Sequence, residues 1–157
     1  MSETRQLVVF RLEELRYALP LDAVERIVRA VEVTPLPQAP PIVLGAIDVQ
    51  GRVLPVLNVR RRFQLPERKI APADQFLIAH TAQRTVTLLI DEAQGVIERP
   101  VAAIVDAADI VPGLEHLQGV VQLEDGLVLI HDLERFLSLD EACALDEALN
   151  REAPHGS

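Results

Sequence analysis

Short apolar runs rich in Val, Ile and Leu recur along the chain at Leu7–Leu12, Arg16–Leu19, Ala46–Val49, Val53–Leu57, Gln75–His80, Thr85–Ile90, Leu117–Leu123 and Leu127–Ile130. Turn-forming residues separate them, so each reads as a strand, and many short strands at close spacing predict a barrel or sandwich. Two hairpins are explicit, one turning at Gln50-Gly51 and one at Glu124-Asp125-Gly126, where glycine can take positive φ. Helical signals are few: a turn from Asp22 to Arg26, a turn near Val59–Phe63, and a C-terminal helix. In that helix Ser138 and Glu141 form a capping box, and Leu139, Ala142, Leu145, Ala148 and Leu149 make one apolar stripe. Pro35-Leu36-Pro37-Gln38-Ala39-Pro40-Pro41 removes backbone donors and predicts an extended surface connector; Gln64–Asp74, with Pro66 and Pro72, predicts a second.

The segment Gly45 to Phe63 overlays Gly119 to Leu137 without a gap. Ala46-Ile47-Asp48-Val49 lies over Val120-Val121-Gln122-Leu123, Val53-Leu54-Pro55-Val56 over Leu127-Val128-Leu129-Ile130, and Asn58-Val59 over Asp132-Leu133, the turn glycine alone slipping by one place. Two similar hairpins, each leading into a helical turn, predict two related small barrels rather than one large sheet. Within the first hairpin, Gly45 allows close backbone approach where the proline-rich connector ends, and Pro55 marks a position needing no ladder donor.

A chain of 157 residues with 49% hydrophobic and 25% charged residues has the size and composition of one globular domain. No apolar run is long enough to span a membrane as a helix, and Leu7 to Phe10 is too short for a secretory signal, so a cytoplasmic protein is expected. The single Cys143 excludes an internal disulfide. A net charge of −9 disfavours nucleic acid and anionic lipid and favours protein partners. The basic run Arg60-Arg61-Arg62 is expected to face water.

Catalytic chemistry finds little to use. Serine occurs only at Ser2, Ser138 and Ser157, the one lysine is Lys69, and no phosphate-cradling glycine motif is present. His80, His116, His131 and His155 lack the spacing of a zinc helix, so no metal or cofactor is expected. Cys143, among Asp140, Glu141, Asp146 and Glu147, is expected to be a buried small hydrophobe. His131-Asp132 and Asp91-Glu92 are the pairs to weigh for acid–base work, but adjacent strand residues point to opposite faces.

The run Leu44-Gly45-Ala46-Ile47-Asp48-Val49-Gln50-Gly51-Arg52-Val53-Leu54-Pro55-Val56 occurs together with Val8-Val9-Phe10, Tyr17-Ala18-Leu19-Pro20, Val24, Ile27 and Pro35-Leu36-Pro37. Leu88-Leu89-Ile90-Asp91-Glu92-Ala93 and Leu117-Gln118-Gly119-Val120 through Asp132-Leu133 follow in order. In this combination the chain resembles the CheW family of chemotaxis coupling proteins. The resemblance, over roughly Leu7 to Leu139, implies a mainly β fold of two packed five-stranded SH3-like barrels, intertwined within residues 5–139; the residue pattern adds a docked helix at 138–150 and a disordered tail at 151–157. It also implies a non-catalytic adaptor, monomeric in isolation, that links the cytoplasmic tips of chemoreceptors to the regulatory domain of a CheA-type histidine kinase. Partner contacts are then expected at Val24, Arg26, Gly45, Asp48, Gln50, Gly51, Arg52 and Phe76. The family usually reads Asn-Leu-Arg-Gly where this chain has Asp48-Val49-Gln50-Gly51, and is usually acidic at the position of Arg26. Arg52 is a candidate to supply the guanidinium that Gln50 lacks. Two other readings stay open: a module of the same fold that binds the kinase without receptors, and a small-molecule sensor or hydrolase with a cleft near His131, Asp132 and Asp91.

Overall fold

The computed structural model describes residues 3–106 and 117–152. Its strands are β1 (Thr4–Leu12), β2 (Leu15–Pro20), β3 (Val24–Arg29), β4 (Val43–Val49), β5 (Arg52–Leu57), β6 (Gln75–His80), β7 (Thr85–Ile90), β8 (Glu92–Pro100), β9 (Ile104–Asp106), β10 (Leu117–Leu123) and β11 (Gly126–His131). Two helices, α1 (Val59–Arg62) and α2 (Leu139–Glu152), accompany short 3-10 turns. The strands form a six-stranded sheet ordered β8-β1-β2-β11-β10-β9 and a five-stranded sheet ordered β3-β6-β7-β5-β4. The first therefore takes strands from both ends of the described chain, while the second is contiguous from β3 to β7. The expected mainly β, two-barrel architecture with its C-terminal helix is present. His116, His155 and residues 153–157 lie outside the described residues.

Side-chain alternation explains the layers. In β1 and β2, Leu7, Val9 and Ala18 point into the core of the six-stranded barrel, while Val8, Phe10, Tyr17 and Leu19 point outward. In β6 and β7, Phe76, Ile78 and Leu89 fill the other barrel, and Leu77, Ala79, Val86, Leu88 and Ile90 point outward. The two outward rows pack together and make a third core between the barrels. Strands buried on both faces need continuous apolar runs, as at Leu7-Val8-Val9-Phe10 and Phe76-Leu77-Ile78-Ala79. Four of the five Phe and Tyr side chains stand in this seam. Tyr17 stacks on Phe63 with centroids 4.8 Å apart, and His131 lies between Phe63 at 4.9 Å and Phe136 at 5.3 Å.

The pseudo-repeat is a structural one. The β4–β5 pair runs Val43 opposite Leu57, then Gly45 opposite Val56, with Leu44 as the extra residue. The β10–β11 pair runs Leu117 opposite His131, then Gly119 opposite Ile130, with Gln118 extra. Each bulge lies where another stretch of chain closes the barrel: Thr34 exchanges both backbone hydrogen bonds with Ala46, at 2.9 and 2.8 Å, and β9 pairs with β10. A Cβ on Gly45 would overlap the Thr34 carbonyl oxygen, and one on Gly119 would lie 2.7 Å from that of Val105. Pro55 is tolerated in an interior strand because β5 meets β7 only from Val56 onward.

A buried ion cluster locks the passage between sheets. Arg60 is 5% exposed and contacts Glu13 in the β1–β2 turn, Asp91 at the β7–β8 junction, and the Pro66 carbonyl at 2.9 Å. Asp91 also accepts from the Glu13 backbone at 2.8 Å and from Arg68 at 3.0 Å, and Arg68 holds Asp74 by two hydrogen bonds. Burial pushes the Asp74 carboxyl up, but Arg68 and the Ala71 N–H outweigh it and leave it below the ordinary range. The same cluster staples the 64–74 connector, which has little apolar surface of its own.

Arg60 does not face water, because the Glu13 and Asp91 carboxylates compensate its burial; Arg61 is half exposed, and the Arg62 guanidinium lies 5.4 Å from the Phe136 ring centroid. Val24–Arg29 is a strand, since its β-branched residues pair with β6, and only Leu21–Ala23 forms a helical turn. Strand β8 was not expected because most of Glu92–Pro100 is exposed and its sequence is polar; β9 is three residues long. The capping box forms in both directions, at 2.9 and 3.1 Å. Leu139, 84% exposed, does not join the docked stripe, whereas Leu145 and Ala148 are buried.

Replacing Arg60 with Ala removes one of three guanidinium partners from Asp91, which keeps Arg11, Arg68 and the Glu13 N–H, and is expected to cost about 1–3 kcal/mol in urea unfolding, against less than about 0.5 kcal/mol for Arg61→Ala. Gly45→Ala must displace backbone as well as adopt strained φ. It is expected to destabilise more than Gly51→Ala, where no atom lies within 4 Å and left-handed strain alone costs about 1–2 kcal/mol. Thermal melts of the two variants test this order.

Candidate partner-binding surface

The β4–β5 hairpin and the start of β3 form one open end of the five-stranded barrel. Gln50 and Gly51 both take positive φ, +52° and +85°, the geometry of a tight two-residue hairpin turn. Asp48 serves that turn, accepting from the Gly51 N–H at 2.8 Å. Its side chain therefore has a local structural duty, as Asx turns commonly show.

Arg26 pairs opposite Ile78, and Arg52 opposite Val49. Both extend the inward-facing rows of their strands to the rim of the barrel, where the interior gives way to water. Although β3 and β5 are not neighbours in the sheet, the Arg52 guanidinium donates to Glu25 at 2.8 Å across this rim. The Arg52 hydrogen bond holds the Glu25 carboxyl below the usual carboxylate range, and Arg26 and His80 are close enough to reinforce the effect. Arg26 itself is exposed.

The other expected positions divide by burial. Val24 is half-buried and packs its side chain against the seam. Gly45 is buried at the closure, so its role is architectural. Phe76 is 0% exposed inside the five-stranded barrel and has no surface to offer a partner. The structure thus brings Arg26, Asp48, Gln50, Gly51 and Arg52 to one rim and removes Phe76 and Gly45 from it. It adds Glu25 to that rim through the Arg52 ion pair. Nothing in the linear pattern marks Glu25, because its partner is reached only when the barrel closes.

The groups weighed for catalysis are engaged otherwise. His131 is 0% exposed among aromatic rings, and the Asp91 carboxylate is surrounded by Arg11, Arg60 and Arg68. A hollow of about 140 Å³ between the β6–β7 hairpin and the start of α2 is floored by Leu57, Val86, Leu133 and Phe136. At its rim Arg84 is tied to Asp146 and Glu134 to the Ala82 N–H. Among the described residues no cluster of three metal-ligating side chains occurs, and no helix is long and apolar enough to cross a membrane.

The CheW-like domain family model matches residues 6–141. The chemotaxis protein CheW of Treponema pallidum (strain Nichols) is 27% identical over 146 residues, covering 89% of this chain and 86% of that protein. Protein FrzA of Myxococcus xanthus is 33% identical over 124 residues, covering 75% of this chain and 74% of that protein. Among solved structures, the scaffolding protein TtCheW from Thermoanaerobacter tengcongensis superposes with a TM-score of 0.80 at 22% identity, covering 90% of this chain and 96% of that one.

Cys143, expected to be buried, is exposed on α2. It lies two positions from the buried Leu145, hence about 200° around the helix and on the opposite face. Native protein is therefore expected to react with one equivalent of an aromatic disulfide reagent without denaturant, and a thiol released only on unfolding would contradict this orientation.

Proposed function

This chain belongs to the CheW-like domain family, and from that premise we propose that it is a chemotaxis adaptor coupling chemoreceptor cytoplasmic tips to the regulatory domain of a CheA-type histidine kinase. The supporting observation is that the family match runs through both barrels and the seam joining them, so the whole two-barrel platform is available for docking. Proteins of this family are non-catalytic scaffolds. The enclosure of His131 and the ion pairing of Asp91 accord with that role.

The receptor contact in this reading lies at the rim containing Arg26, Gln50 and Arg52, with half-buried Val24 beside it. A second reading, a module that binds the kinase and not the receptor, draws its support from the same rim. Arg26 stands where the family is usually acidic, and Asp48 and Gln50 replace residues of the usual motif.

Co-sedimentation with receptor-containing membranes, with and without a CheA-type kinase of the same genome, separates the readings. Coupling requires the chain in the pellet with receptor alone and increased kinase recovery in its presence. Binding to kinase alone supports the competitor module, and binding to neither overturns both.

A further inference from the structure

The rim holds two guanidinium groups, Arg26 and Arg52, and two carboxylates, Glu25 and Asp48, of which only Glu25 meets a guanidinium. Arg52 is engaged by Glu25 at 2.8 Å, with side chains 48% and 29% exposed, while the exposed Arg26 lies beside them, its guanidinium making no hydrogen bond or ion pair among the described residues. Asp48 is turned away into the hairpin hydrogen bond with Gly51. This is an unusual local balance on a chain of net charge −9, whose overall field disfavours an acidic partner. A half-exposed ion pair contributes little net stability, so the Glu25–Arg52 bond is exchangeable for an equivalent intermolecular one.

We propose that the barrel rim accepts a carboxylate side chain of its protein partner between Arg26 and Arg52, and that Glu25 is a built-in competitor for that position. This rests on the coupling reading and commits it to one partner: an acidic residue on the chemoreceptor tip. The incoming carboxylate replaces Glu25 on Arg52 while gaining Arg26, and Glu25 turns to water. The pair then acts as a weak latch that lowers affinity for partners lacking an acid and partly screens the rim when it is unoccupied. A carboxylate bridging two guanidiniums also fixes orientation, because each arginine presents a planar fork of donors.

The test is the dissociation constant for a receptor cytoplasmic-tip fragment, measured by fluorescence anisotropy at two salt concentrations, with kinase binding as the check that each variant is folded. Glu25→Gln is expected to tighten receptor binding by about three-fold, the scale of an exposed ion pair. Arg26→Glu is expected to weaken it by about ten-fold at low salt and less at high salt. In an Arg52→Gln background most of the gain from Glu25→Gln disappears, which separates competition for Arg52 from a general loss of negative charge. Unchanged or weaker receptor binding by Glu25→Gln, or unchanged binding by Arg26→Glu, overturns the proposal while leaving the coupling reading intact. Wild-type protein that binds the kinase and no receptor fragment overturns both the proposal and receptor coupling.

Discussion

Burial of β1, β2, β6 and β7 on both faces is the constraint on which the rest of the molecule depends. Each barrel closes around its own small core, and the larger core lies between them, built from Phe10, Tyr17 and Leu19 on one side and Leu77, Leu88 and Ile90 on the other. Neither barrel can be removed without exposing the other's outward row. At roughly 25 cal/mol per Å² of apolar surface, that exposure makes the seam a cooperative bond rather than a mobile domain boundary. The interleaving of the chain reinforces it, since β11 pairs in parallel with β2 and draws the two ends of the chain into one sheet.

Closure is the second requirement. A small barrel must bring a late stretch of chain against an early one with no side chain between, and Gly45 and Gly119 answer that need at matching points of the pseudo-repeat. The rim that results is chemically distinct from the seam. Seam positions are apolar and fully desolvated, whereas the rim joins a tight polar turn to the ends of inward-facing rows, where Arg26, Arg52 and Glu25 take over from aliphatic residues. An adaptor benefits from this division, because rim charges can change with a partner while the seam keeps the platform rigid.

The ion cluster at Arg60 shows why charge runs cannot be interpreted one residue at a time. In sequence Arg60, Arg61 and Arg62 are equivalent, yet helical geometry sends them in different directions: into the Glu13–Asp91 pocket, toward Glu67, and over Phe136 toward Glu141. Burial of Arg60 is possible only because two carboxylates from distant segments meet it there. The same logic places Cys143 outside and Leu145 inside on one helix.

By itself the sequence determined eight of the eleven described strands, all but β3, β8 and β9, together with the two hairpins, the capped C-terminal helix and the repeat relating Gly45–Phe63 to Gly119–Leu137. Those features follow from local terms: β-branched apolar runs, glycine at positive φ, and a serine cap. The rim segment with its bracketing glycines was legible in the same way, and with it the family. Tertiary structure alone decided that Phe76 and Gly45 belong to the interior, that β8 completes a sheet despite its polar surface, that Arg60 is buried, and that Glu25 holds Arg52. Each of those outcomes turns on a partner from a distant part of the chain, such as Asp91 for Arg60 or Glu25 for Arg52. Barrel closure creates such pairs, and no spacing along the chain encodes them.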